Sequence, residues 1–231
     1  MKPYYEHAGI AIYHGDCREV LASFPECFSF DALITDPPYG IGFDYGENGH
    51  DDDPAAYGSY IWPIVQAFED RLHQSGYAVV FQSATTARMW PTWFPRDWRL
   101  FAAPKAFAQI RPCRPFQAVD YALYWRRDGK NQGKHDWHPA PGRDWYLSKE
   151  TAATANRPKH PCPRPADLMR YIVSMFAAPS AIVIDPFMGS GTTLLAAKNL
   201  SRRAIGIEIE ERYCEIAAKR LSQEVLFGSS P

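Results

Sequence analysis

No C-x-x-C pair, no apolar run of membrane-spanning length and no Gly-Lys-Ser/Thr after a glycine-rich turn occurs in this 231-residue chain. Its five cysteines, Cys17, Cys27, Cys113, Cys162 and Cys214, are scattered and odd in number. That argues against a disulfide framework or a zinc knuckle and fits reduced thiols. His135, His138, His160 and Cys162 can be drawn as a ligand set, but proline and lysine crowd that segment, and the expectation is no metal. Apolar stretches stay short of the about 20 residues a bilayer span needs. The opening MKPYYEHAGIAIYHGD has no secretory h-region, so a cytoplasmic protein is expected. Charge of one sign is also missing locally. Residues 31–70 carry nine acids and no Lys or Arg, whereas residues 96–164 carry fourteen Lys and Arg against six acids. The two nearly cancel, at a net charge of −1. Trp98, Trp125, Trp137, Trp145 and Tyr146 are interleaved with the cations, as suits a surface that neutralises phosphates and packs on bases or sugars. A solvated basic face fits the same composition.

What is present is a strand–helix alternation. GIAIYHGD, DALITD, GYAVVFQS, WRLFAAP, AVDYALYWRR, AIVIDP and RRAIGIEIE read as strands. YIWPIVQAFEDRLHQSG, PADLMRYIVSMFAAP, TTLLAAKNL and ERYCEIAAKRL read as amphipathic helices, the first with Gly76 as a plausible C-cap. The alternation predicts an α/β fold with a doubly wound, mostly parallel sheet. Residues 44–59 and 127–165 read as loops, the second longer than an ordinary connection. Residues 227–231 read as a disordered tail.

Two stretches carry chemistry. In DALITDPPYG, Pro37 and Pro38 stop the strand because proline donates no ladder hydrogen bond. Asp36 and Tyr39 are left at the strand's C-terminal mouth, where open α/β sheets bind ligands. In AIVIDPFMGSGTTLL, a buried strand runs through Asp185 into a turn with Gly189 and Gly191, then a helix whose free N–H groups can hold an anion. Glu208 ends the next strand 23 residues beyond Asp185, the spacing at which an acid meets a ribose diol. Leu194 stands where a third dinucleotide glycine would be, which weakens that reading. A cofactor with a ribose and no phosphates fits better, and S-adenosylmethionine is one. A purely structural glycine turn stays open on this motif alone.

Together, TDPPYG and DPFMGSGTT resemble the amino-group DNA methyltransferases, which carry D/N/S-P-P-Y and F-x-G-x-G. The catalytic motif comes first, the order of the circularly permuted β class. HGDCREVL resembles that family's G-D-C-x-x-x-L, HPCPRP its H-P-T-Q-K-P, and RRAIGIEIEERYCEIAAKRL its ribose-binding strand and following helix. Cys162, Pro163 and Arg164 stand where the family has Thr, Gln and Lys. The matches span Asp16 to Leu221. The resemblance implies a seven-stranded sheet of the S-adenosylmethionine-dependent methyltransferase type with a small DNA-recognition insertion. It implies one domain over residues 1–226: a catalytic half (10–126), a recognition region (127–159) and a cofactor half (160–226). By the same resemblance Asp36, Pro37, Pro38 and Tyr39 are catalytic. The cofactor contacts are Asp16, Asp36, His160, Pro161, Asp185, Phe187, Gly189, Ser190, Gly191, Thr192 and Glu208. Arg126, Arg127, Lys130, Lys134 and Arg143 are the cations expected on double-stranded DNA. A homodimer, encoded by a bacterium or phage and often partnered with a restriction enzyme, is also implied.

The DPPY turn has a chemical logic of its own. An exocyclic amine of adenine or cytosine is a poor nucleophile, its lone pair being delocalised into the ring. Accepting both N–H hydrogens, one on the Asp36 carboxylate and one on the Pro37 carbonyl, favours a tetrahedral nitrogen that can attack. The prolines stiffen the turn, and Tyr39 can stack on a base drawn out of the duplex. Ring-carbon methylation needs a cysteine nucleophile instead. The Pro-Cys pairs at Cys113 and Cys162 do not follow a strand at the mouth. Asp at the first motif position goes more often with adenine N6, while cytosine N4 and a non-catalytic DNA- or cofactor-binding subunit remain alternatives.

Overall fold

The computed structural model describes residues 1–41, 57–109, 117–130, 142–150 and 164–223. Its strands are β1 (Tyr5–His7), β2 (Ile10–His14), β3 (Phe30–Thr35), β4 (Leu72–Gln82), β5 (Arg99–Gln109), β6 (Gln117–Arg126), β7 (Ile182–Asp185) and β8 (Arg203–Glu208). Among the described residues six helices accompany them: α1 (Cys17–Ser23), α2 (Tyr57–Glu69), α3 (Trp90–Trp93), α4 (Ala166–Phe176), α5 (Thr192–Asn199) and α6 (Glu211–Ser222). A 3₁₀ turn over Ala84–Met89 leads into α3.

All eight strands form one sheet in the order β1-β2-β8-β7-β3-β4-β6-β5. The five central strands are parallel, whereas β1 and the β6–β5 pair run antiparallel to their neighbours. The doubly wound α/β expectation therefore holds, with eight strands in place of seven. The extra one is β1, joined to β2 through Ala8 and Gly9, both at positive φ. Such a two-residue turn matches the right-handed twist of a hairpin, but alanine is a rare choice for it, so the sequence gives little warning.

Side chains leave the strands alternately to the two faces. Ile12, Ile34, Val79 and Phe101 pack under α4, α5 and α6 through Leu168, Ile172, Leu194 and Ala217. Leu33, Val80, Leu123 and Ile184 pack under α1, α2 and α3 through Val20, Ile61, Phe68 and Trp90. Gly76 is not the C-cap of α2, which ends at Glu69. It lies inside β4 where the pairing with β3 shifts register, and a Cβ there would sit 2.8 Å from the Asp31 carbonyl oxygen. A close approach of two backbones explains this glycine.

The winding reverses between β3 and β7. From β3 the chain moves to β4 on one side, and from β7 to β8 on the other. Ligands of open α/β sheets bind at the carboxyl ends of strands at such a switch point.

Candidate active site

Four carboxylates line the carboxyl edge of the sheet in strand order: Asp16 after β2, Glu208 at the end of β8, Asp185 at the end of β7 and Asp36 after β3. Pairing sets their spacing. His14 lies opposite Glu208, and the Gly15 N–H donates to the Glu208 carbonyl at 2.9 Å, bringing Asp16 beside β8. Across the switch point, buried Thr35 donates its hydroxyl to Asp185 Oδ1 at 2.8 Å, joining the DPPY strand to the cofactor strand.

The turn after β7 folds back over the strand ends. Gly189 donates its N–H to Glu208 Oε2 at 2.9 Å, and the Met188 N–H donates to the Ile207 carbonyl at 3.0 Å. Gly191 precedes α5 at φ +76°, and a Cβ there would lie 2.9 Å from that of Ala217 on α6. Ser190 and Thr192 are buried in this turn. Arg220 reaches from α6 to the Ser190 carbonyl, with Ser190 Oγ at 3.3 Å and Thr192 Oγ1 at 3.4 Å. Phe187 is partly buried, and Ile209, just past Glu208, is exposed.

Electrostatics distinguish the four acids. Burial pushes Asp185 up to about 6 against the bonds it accepts from Thr193, Thr35 and the Phe187 N–H. Burial likewise pushes Glu208 up to about 7. Asp16 moves the other way: hydrogen bonds from the Arg18 side chain hold its carboxyl below the usual range.

Around Asp36 the arrangement is denser. Tyr39 donates its hydroxyl to Asp36 Oδ1. Arg164, just ahead of α4, donates from Nε to Asp36 Oδ2 at 2.7 Å and from Nη2 to Oδ1 at 3.0 Å. Its Nη1 bonds Asp120 Oδ2 on β6, and its guanidinium carbon lies 4.5 Å from the Phe81 ring centre. Arg164, Asp120 and Thr35 were not among the sequence candidates. Arg164 showed only as a departure from the family pattern, and Asp120 only as the one acid in a strand of aromatic and aliphatic residues.

The structure thus gathers Asp16, Asp36, Pro37, Pro38, Tyr39, Asp185, Phe187, Gly189, Ser190, Gly191, Thr192 and Glu208 along one edge. His160, Pro161 and Lys134 lie outside the described residues, as do His135, His138 and Cys162. Among the described residues no group of three His, Cys, Asp or Glu could hold a metal.

The basic residues divide. β6 runs antiparallel to β4, so Arg126 pairs with Tyr77 while Tyr121 pairs with Gln82. Arg126 is therefore five residues, about 16 Å, below the mouth on the opposite edge. Arg126 binds Asp128 at 3.1 Å, Arg127 donates to the Leu72 carbonyl, and Lys130 follows on the same turn. These three do not join the site. Arg143 does lie at its level: the Asp144 carbonyl accepts from the Ala102 N–H at 2.9 Å, and Ala102 pairs with Tyr121. Its guanidinium lies 5.1 Å from the ring centre of Trp145, and both side chains are exposed.

Four carboxylates, a glycine turn that opens a helix and the Asp36–Pro37 turn share the carboxyl edge at the switch point, an arrangement that suits a methyltransferase built on a doubly wound sheet. The N6/N4-type DNA methylase family matches residues 30–219, and the chain belongs to it. It is 28% identical to the type II methyltransferase M.ScaI of Streptomyces caespitosus, over 96% of this chain and 84% of that one. The crystal structure of an M1.HpyAVI–SAM complex superposes at a TM-score of 0.66 with 29% identity, covering 91% of this chain and 99% of that one. The cytosine-N4-specific PvuII DNA methyltransferase shares the fold at a TM-score of 0.76 and 20% identity, covering 98% and 91%.

Proposed function

We propose that the chain is an S-adenosylmethionine-dependent DNA methyltransferase that modifies adenine N6 of a base turned out of the duplex. The observation that carries the reading is the placement of Asp36 at the switch point, tied through Thr35 to the buried carboxylate that ends the cofactor strand. The cofactor fits the edge from end to end. Asp16 suits the adenine, Glu208 the ribose hydroxyls, Asp185 the amino group, and the turn at Gly189 to Thr192 the carboxylate. Bound there, the cofactor supplies an electrophilic methyl group on a sulfonium.

Asp36 accepts one N–H of the target amine and the Pro37 carbonyl the other, so the nitrogen lone pair faces the cofactor. As the amine would take the methyl and the methyl–sulfur bond would break to leave a neutral thioether, positive charge would develop on the nitrogen; the ionised Asp36 strengthens its hold on that hydrogen and passes the proton to solvent. Tyr39 packs on the base. The residues need no covalent intermediate for this. Adenine rests on Asp at the first motif position. Nucleoside mass spectrometry of unmethylated genomic DNA incubated with protein and cofactor tests the reading. N6-methyladenine supports it, N4-methylcytosine moves the base, and no methylated base sinks it. A homodimer belongs to the same proposal; light scattering showing a fully active monomer would remove it.

Cofactor binding carries a pH signature. Asp185 and Glu208, at about 6 and about 7 in the fold, lie above their ordinary values of 3.8 and 4.5. Each therefore favours folding of the free protein most below its ordinary value, and loses that contribution as pH rises through 6 to 7. An ammonium group and donating hydroxyls prefer the ionised acids, so affinity runs oppositely. Calorimetry is expected to show S-adenosylmethionine binding weaken below pH 7 by up to about tenfold per pH unit for each proton that must leave. An affinity flat from pH 8 to 5.5 contradicts this.

The DNA path we propose runs along the β5 side of the sheet, where Arg143 and Trp145 are exposed. Arg143→Glu is expected to weaken binding and reduce the slope of log affinity against log salt by about one. Lys130→Glu, on the far edge, leaves the slope unchanged. Equal effects from both would move the DNA path.

A further inference from the structure

Arg164 satisfies two carboxylates at once, and one of them is the proposed amine acceptor. Both Asp36 oxygens receive its N–H groups, Oδ2 at 2.7 Å and Oδ1 at 3.0 Å, with the Tyr39 hydroxyl added on Oδ1. A guanidinium in that position competes directly for the lone pairs that a base amine has to reach, and it neutralises the charge that makes Asp36 a strong acceptor. The arriving base must therefore displace it. Pulling an arginine off a carboxylate in a partly buried site is costly when the cation is left without a partner. Here it keeps one, because Nη1 already bonds Asp120 Oδ2. Asp120 is fixed on β6 opposite Ala103, one residue to the mouth side of the Tyr121–Gln82 pair. The Phe81 ring, 4.5 Å from the guanidinium carbon, gives the group an aromatic face to remain against.

We propose that Arg164 is a positioning residue for methyl transfer: it holds the Asp36 carboxylate in place before the base arrives and is handed to Asp120 when the amine takes the carboxylate. This rests on the reading of Asp36 as the amine acceptor. The planar fork matters, since its separate N–H groups span two carboxylates, whereas the lysine at this place in the family pattern is a point charge. Asp120 acts through Arg164, as the group that makes release of Asp36 affordable.

The test is a pair of single variants and their double, read as single-turnover methyl transfer to DNA at saturating cofactor. In Asp120→Asn the arginine has no charged refuge and stays on Asp36. The rate is expected to fall about ten- to a hundredfold, the equivalent of one charge-assisted hydrogen bond left in the way. Adding Arg164→Met to that variant removes the obstruction, and the double rises to the rate of Arg164→Met alone, which is itself below wild type because the Asp36 carboxylate is no longer held. Asp120→Glu, which keeps the charge on the strand, stays faster than Asp120→Asn. A double variant as slow as Asp120→Asn alone overturns the proposal, as does Asp120→Asn at the wild-type rate. Asp36→Ala separates the two readings. If it still transfers methyl groups, the acceptor assignment fails and the handover with it. If it is inactive and the double variant shows no recovery, only the handover fails.

Discussion

Asp36→Ala is expected to lower methyl transfer by at least about 10²–10³-fold, the effect of removing one preorganised polar group from a reacting centre, while cofactor binding stays close to wild type. The argument lies in the split of the edge. Asp16 caps α1, Glu208 and Asp185 end β8 and β7, and the glycine turn opens α5, so they remain in place when the carboxylate after β3 is removed. The Thr35–Asp185 bond that joins the halves uses the side chain before Asp36, so it survives too. Transfer is read with labelled cofactor, and binding by calorimetry on the same preparation. Loss of binding along with transfer would show that Asp36 organises the cofactor site, and its role as amine acceptor would have to be withdrawn.

Gly191→Val is expected to do the reverse, removing cofactor binding and transfer together. Two costs coincide there. At φ +76° a side chain meets left-handed strain of about 1–2 kcal/mol, and the new Cβ would stand 2.9 Å from that of Ala217 on a packed helix. The atoms it meets, the Cβ and Cα of Ala217, are not the loose end of a flexible side chain, so the turn must move, and with it the N–H groups that open α5. Gly129→Ala is the matched control. It has a similar φ of +72° but nothing within 4 Å of its Cβ position, so strain acts without crowding. Gly191→Val should lose at least about tenfold in cofactor affinity, the rate of exchange for about 1.4 kcal/mol, and Gly129→Ala should keep it. Parallel loss in the two would mean that left-handed strain acts through overall stability, because Gly129 lies at the foot of the sheet, away from the turn.

The central strands and the two motifs were legible in the sequence because each is local. A buried strand announces itself by its apolar run, and a proline pair or a glycine turn announces where it ends. What was not legible depends on partners far along the chain. Gly76 looks like a helix end until β3 is seen running beside it, and the reason for the glycine is the Asp31 carbonyl opposite. Arg126 and Arg127 look like part of one basic surface with Arg143. Strand direction alone sends the first two to the foot of the sheet and leaves the third at the level of its mouth. Arg164 meets Asp36 across 128 residues of sequence and Asp120 across 44, and no periodicity encodes such a meeting. The eighth strand was missed for a smaller reason: three residues and an Ala-Gly turn leave too little pattern to read.

The bond between Thr35 and Asp185 also has a bearing on how the enzyme is made. Strand β3 lies between β4 and β7, so during synthesis it can pair on one side as soon as β4 emerges, while its other side waits for β7, whose Asp185 lies 150 residues beyond Thr35. Until then its unpaired edge is open to other chains. If the DPPY turn is the acceptor site proposed above, the same delay means that a nascent chain displaying the complete motif lacks the β7 side of that site, so methyl transfer waits until the last third of the protein has folded against the first.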